Sequence, residues 1–137
     1  MLDVIALLAI AILFGGMASF SFLFAPLVFA RLPAETAGPF IRSVFPWYYL
    51  FVIVLGGSSA ALMALSSPDL ARILFAVFLT GILARQVLMP AINRARERHL
   101  GGDAAAHRRF QLLHGSSLVL NVVQLIGLGF VVATFAF

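Results

Sequence analysis

Three uncharged stretches, Val4 to Ala30, Ser43 to Pro68 and Phe110 to Phe137, restrict what this chain can fold into. Each exceeds the ~20 residues that an α-helix needs to cross ~30 Å of hydrocarbon. A further apolar run starts at Ile73 and reaches Arg94 with only Arg85 inside it. Composition decides between a membrane and a soluble core. The chain is 63% hydrophobic and 10% charged, where soluble domains carry about 25% charged residues. A chain this short would still need a polar surface to dissolve, whereas in lipid the outside of a helical bundle is free to be apolar.

The expectation is therefore an all-α integral membrane four-helix bundle forming a single domain over residues 1–137. The spans fall at about 4–30, 46–66, 69–91 and 110–136, with polar loops at about 31–45 and 92–109. The first span is not read as a cleaved signal peptide: it lacks a basic n-region, carries Asp3, and is about twice the usual length. The chain has no cysteine, which excludes disulfides and thiolate sites. Its net charge of +4 and pI near 11.2 would suggest nucleic acid in a soluble protein. Here the arginines gather at the ends of apolar runs, so topology explains them and nucleic-acid binding is not expected. Arg31, Arg42, Arg94, Arg96, Arg98, Arg108 and Arg109 fall on one side and Arg72 alone on the other. The basic side is cytoplasmic. Both termini then face the periplasm, and the expected location is the inner (plasma) membrane, multi-pass.

Local punctuation fits this division. Gly38-Pro39 and Phe45-Pro46 suggest a short interfacial segment before the second span. Ser67-Pro68-Asp69 reads as an N-cap, a proline at the first helical position and an acid in the first turn. Gly101-Gly102 breaks the last connection, and Asp103 is placed to cap the final helix. Between them, the third helix extends past the membrane to about His99 and the fourth starts early, forming a basic stub. A weak internal repeat pairs Pro26 and Arg31 with Pro90 and Arg94, and Phe45 and Tyr49 with Phe110 and His114. In sequence alone, so few matches do not exceed chance.

Polar groups at membrane depth are costly, and each is a functional candidate. His114, Ser117, Asn121 and Gln124 share a face of the last helix, and Arg85, Met89 and Asn93 share one of the third. With Leu70 at the outer boundary, Arg85 lies roughly 22 Å inward. Asn121 lies at a similar depth, and His114, Asn93, Tyr48 and Tyr49 lie near the inner boundary. The expected ligand-binding set is Arg85, Asn93, His114, Ser117, Asn121, Gln124, Tyr48 and Tyr49. Arg85 is expected to pair with Asn121 or Gln124, and His114 with Asn93 or a tyrosine. Plainer roles compete: Arg85 snorkelling to headgroups, Asn121 and Gln124 as interhelical contacts worth ~0.6 kcal/mol each, and Trp47 with the tyrosines as an interfacial belt.

Phe45-Pro46-Trp47-Tyr48-Tyr49, Leu88-Met89-Pro90-Ala91-Ile92-Asn93 and the run Phe110 to Ser117 followed by Asn121 resemble the transmembrane protein 205-like family of small four-span proteins. That resemblance implies the four-span architecture and directs attention to Phe45, Pro46, Tyr49, His114 and Asn121. It implies no defined activity. A eukaryotic member's association with platinum-drug resistance points to soft-metal or organic-cation export, from which this chain departs by lacking cysteine and scattering its methionines.

Three functional classes follow. The leading one is a non-enzymatic membrane protein that binds, and in an extended form translocates, a small solute or lipid headgroup through a cytoplasm-facing polar vestibule. The second is an accessory subunit of a larger membrane complex, or a homo-oligomer. The third is a redox protein with haem or quinone near His114. No cofactor is specified by the residues, and no metal set or catalytic arrangement is legible.

Overall fold

The computed structural model describes every residue, Met1–Phe137, and contains no strand. Four helices, each long and apolar enough to cross a membrane, make up nearly the whole chain: α1 Leu2–Arg31, α2 Ala34–Met63, α3 Pro68–Leu100 and α4 Ala104–Ala136. The connections are a few residues long, which forces neighbours antiparallel. The helices form a ring in which α1 touches α2 and α4, and α3 touches the same two. Only 27 of 137 residues are buried, and large apolar side chains such as Phe22, Val54, Leu79, Val122 and Ile126 point outward. An apolar exterior this extensive is stable only against lipid.

The α2–α3 seam is the closest contact. A Cβ on Gly56 would sit 3.4 Å from the Phe78 backbone nitrogen, and one on Gly81 would sit 3.2 Å from Val52 and Ile53 side chains. Small residues at these positions let the two backbones approach, which is how helices associate in lipid.

The first helix of each hairpin contains a π-turn, Phe20–Phe24 in α1 and Ala84–Leu88 in α3. The Ala25 N–H bonds to the Phe20 carbonyl and the Met89 N–H to the Ala84 carbonyl. In each case proline, Pro26 or Pro90, is the second residue beyond the wide turn. A proline has no N–H to donate, and its ring collides with the carbonyl one turn back. Widening that turn relieves the collision while keeping the helix going.

The repeat suspected from sequence is much fuller in the burial pattern. Ile10, Leu13 and Met17 of α1 correspond to Leu74, Val77 and Gly81 of α3, all buried. Ile41, Ser59, Ala60 and Met63 of α2 correspond to Ala106, Gln124, Leu125 and Leu128 of α4, all buried, and Ser59 and Gln124 are the two buried polar residues of the chain. The molecule is thus built from two similar helical hairpins.

One local expectation is corrected, and Ser67, Pro68 and Asp69 take their expected places at the start of α3 without the cap bond. Residues around Pro39 and Pro46 are not a separate interfacial segment, because α2 runs unbroken through both prolines. Packing of Ala37, Ile41, Tyr48 and Tyr49 into the bundle outweighs the missing N–H groups. Ser67 stands at the N-cap of α3 without a side-chain cap bond, and Asp69 instead pairs with Arg72 at 2.6 Å. Asp103 does cap α4, its Oδ1 accepting from Ala105 N at 3.0 Å and Ala106 N at 3.4 Å. Replacing it, Asp103→Ala, is expected to cost about 1 kcal/mol of local stability. Faster hydrogen exchange at Ala105 and Ala106 would register this; unchanged exchange would mean that packing alone holds the turn.

Candidate functional site

The polar residues of α4 divide between two neighbours. Asn121 joins three helices: Tyr48 Oη of α2 donates to Asn121 Oδ1 at 2.6 Å, and Asn121 Nδ2 donates to Ser21 Oγ of α1 at 2.8 Å. The Tyr48 bond crosses the ring, since α2 and α4 are not neighbours. Gln124 turns instead toward α3, donating to Thr80 Oγ1 at 2.8 Å and the Val77 carbonyl at 3.4 Å. Ten residues is not a whole number of turns, so Gln124 lies about 80° around the helix from His114. The stripe read from the sequence is a drifting one.

Arg85 does not meet Asn121 or Gln124. Its Nε donates to the Pro46 carbonyl of α2 at 3.2 Å. The π-turn Ala84–Leu88 stands between Arg85 and the later residues of its expected face, and the wide turn adds a residue to the helical count. The shared face expected for Arg85, Met89 and Asn93 assumes a straight α-helix. Ser21 holds the corresponding place in the α1 π-turn, and it too makes a polar contact to another helix. Nothing in the sequence reading singled out Ser21 for this role, although Pro26 just beyond it carried the signal.

His114 bonds neither Asn93 nor a tyrosine through its ring. The ring lies parallel to Phe110, 5.8 Å away, and the His114 carbonyl accepts from Ser117 Oγ at 2.7 Å. Asn93 Oδ1 is buried without a hydrogen-bond partner. The tyrosines are not a surface belt: both are buried, with Tyr48 stacked on Phe20 at 4.4 Å and Tyr49 on Phe45 at 6.0 Å. Trp47, by contrast, points outward and is 72% exposed. His99 and His107 pack ring to ring at 4.4 Å on the exposed stub.

These groups surround two adjoining cavities. The deeper, about 100 Å³, lies among Phe20, Ser21, Tyr48, Tyr49, His114 and Asn121. The outer, about 270 Å³, lies among Ile41, Arg42, Met89, Ile92, Arg96 and Phe110. Phe45, His114 and Ser117 line both, so the two adjoin as a cleft between the basic stub and the Tyr48–Asn121–Ser21 network. Arg85, Asn93 and Gln124 line neither cavity. Arg42 and Arg96, which the sequence reading used only for topology, stand at the outer end. Burial, with the charge of Arg96, pushes the Arg42 guanidinium below its ordinary value, and Glu97 acts the other way.

The largest concavity, about 790 Å³, is elsewhere, an open apolar groove between α2 and α3 left by small residues such as Gly57, Ala61 and Ala71. Its one charged residue, Arg72, is already paired with Asp69. No three His, Cys, Asp or Glu side chains converge anywhere in the chain.

Four apolar helices in a closed ring, with polar contacts turned inward, define a small multi-pass membrane protein. The model of one family, described as a domain of unknown function (DUF4149), matches residues 8–100, and the chain belongs to that family. The match covers α1, α2 and α3; α4, with His114 and Asn121, lies beyond it. No curated protein and no solved structure matches the chain.

Proposed function

We propose that this protein is a non-enzymatic inner-membrane protein whose cleft binds a small solute or lipid headgroup entering from the cytoplasmic side. In this reading both termini face the periplasm, and the Arg-rich stub lies in the cytoplasm. The observation that carries the reading is the cleft itself, which begins beside Arg42 and Arg96 and ends at the hydrogen-bonded Tyr48–Asn121–Ser21 group. A polar network that served only to join helices would need no cavity beside it. Here His114, Ser117 and the tyrosines line open space. Binding is the minimal activity; translocation would further require the network at the inner end to open. We also read the chain as a relative of the transmembrane protein 205-like proteins, on the Phe45–Tyr49 and Phe110–Asn121 motifs.

In this reading Arg85, Asn93 and Gln124 leave the expected ligand set, since none lines the cleft. The bond of Arg85 to Pro46 gives it a structural role at the α2–α3 contact.

Ser117→Phe tests the proposal, because Ser117 borders both cavities and its hydroxyl bonds only its own helix. A phenylalanine there fills the passage without removing an interhelical bond. In native mass spectrometry of protein purified in mild detergent, wild type is expected to carry a non-protein mass that Ser117→Phe loses. The same mass on both proteins would refute a ligand in this cleft.

A further inference from the structure

Two arginines from different helices, Arg42 of α2 and Arg96 of α3, line the outer cavity. Neither forms an ion pair, the chain's one being Arg72 with Asp69, although Glu97 is near enough to act on Arg42. Arg96 lies across the α2 backbone at Gly38, where a Cβ would come within 3.2 Å of its Nη1. The missing side chain at Gly38 lets the guanidinium rest against α2 on the same cavity as Arg42.

Two unpaired like charges brought to one cavity raise each other's free energy. That cost adds to the burial of Arg42, and the charge of Glu97 offsets part of it. An anion between them removes it, and planar guanidinium forks match phosphate or carboxylate oxygens. Arginine at the cytoplasmic boundary is ordinary for topology, but topology alone does not require two of them to converge. Below the pair the cavity wall is mostly apolar, with Phe29, Phe45, Met89 and Ile92 beside the polar His114 and Ser117. Phe29 is also exposed on the outside, so the cavity meets the surrounding lipid there.

We propose that the outer cavity holds an amphiphilic anion, its phosphate or carboxylate head between Arg42 and Arg96 and its apolar part against Phe29, Phe45, Met89 and Ile92. This rests on the reading of the cleft as a ligand site and adds the ligand's class. The cavity takes the head and the first part of a chain, and a longer chain continues past Phe29 into lipid.

The test is a native mass spectrometric titration of the full chain in a neutral maltoside detergent, with dodecyl phosphate as probe. Saturable binding of one dodecyl phosphate is expected. Arg42→Gln/Arg96→Gln should weaken it at least tenfold, the single variants falling between. Arg94→Gln/Arg98→Gln removes the same charge from exposed positions outside the cavity and should leave the affinity within twofold. Dodecyltrimethylammonium should not compete. Inorganic phosphate tells the two sources of such a head apart. Displacement of the probe at similar phosphate concentration would assign the site to a soluble anion and overturn the amphiphile, whereas no displacement supports it. Equal weakening in both double variants would overturn the proposal in favour of general surface charge. Loss of probe in Ser117→Phe but not in Arg42→Gln/Arg96→Gln would reject the anion while leaving the cleft. Undiminished binding in every variant would reject both.

Discussion

Gly56→Leu is expected to prevent the bundle from assembling, while Gly56→Ala is tolerated. The position of a Cβ at Gly56 is 3.4 Å from the Phe78 nitrogen and 3.5 Å from its Cα, an ordinary van der Waals contact. Alanine therefore fits, and it gains about 1 kcal/mol of helix propensity over glycine. Leucine must place three more carbons where the backbone of α3 stands. A backbone inside a helix cannot rotate away as a side chain does. At Gly57, by contrast, the nearest atom is the Phe78 ring Cδ2 at 2.9 Å, which can swing aside. Overpacking costs 1–3 kcal/mol where neighbours can yield and more where they cannot. Forcing α2 from α3 also loosens Val52, Met63, Leu74 and Val77, which the seam buries. Size-exclusion profile and thermal unfolding in detergent read the outcome. A Gly56→Leu protein as monodisperse and as heat-stable as wild type would contradict the close seam.

The second large effect is a contrast of sign between two neighbouring amides. Asn121→Leu removes the acceptor of the buried Tyr48 hydroxyl and the donor to Ser21. A buried donor left without its partner costs about 1–3 kcal/mol, with the low end expected where water in the adjoining cavity takes over. Gln124→Met removes its 2.8 Å bond to Thr80, but the Thr80 hydroxyl already donates to the Ala76 carbonyl at 2.7 Å. The Gln124 Oε1 is itself buried without a partner. Exchanging that amide for a thioether of similar shape removes an unsatisfied acceptor, so the change is expected to be neutral or slightly stabilising. Reversible unfolding in mixed detergent and dodecyl sulfate measures both. Equal losses would mean that the two amides are interchangeable helix contacts and that the three-helix network has no special weight.

Much of the architecture was legible because its causes are local. An uncharged run of sufficient length is a span whatever its neighbours do, and Gly101-Gly102-Asp103 marks a turn and a cap within a few residues. Proline misled at Pro39 and Pro46, where tertiary packing carries α2 through, and it spoke more softly at Pro26 and Pro90, where the helix widens instead of ending. The lining of the candidate cleft was legible in part. His114, Ser117, Asn121, Tyr48 and Tyr49 were singled out as polar groups in one half of the bundle, and all five line its inner cavity. Arg85, Asn93 and Gln124 were grouped with them by depth and spacing, and the cleft excludes them. Arg42 and Arg96 were missed because their charge already had an explanation in topology.

From its residues alone, then, this chain was determined to be four lipid-buried helices with a basic stub, since hydrophobic length and arginine placement act through the solvent and need no partner. Only the tertiary structure decided which polar groups meet. Depth along a helix is a local count, but the direction a side chain faces depends on every turn before it. The packed bundle sends Arg85 to the Pro46 carbonyl and Asn121 to Tyr48 and Ser21, contacts that no count along one helix contains.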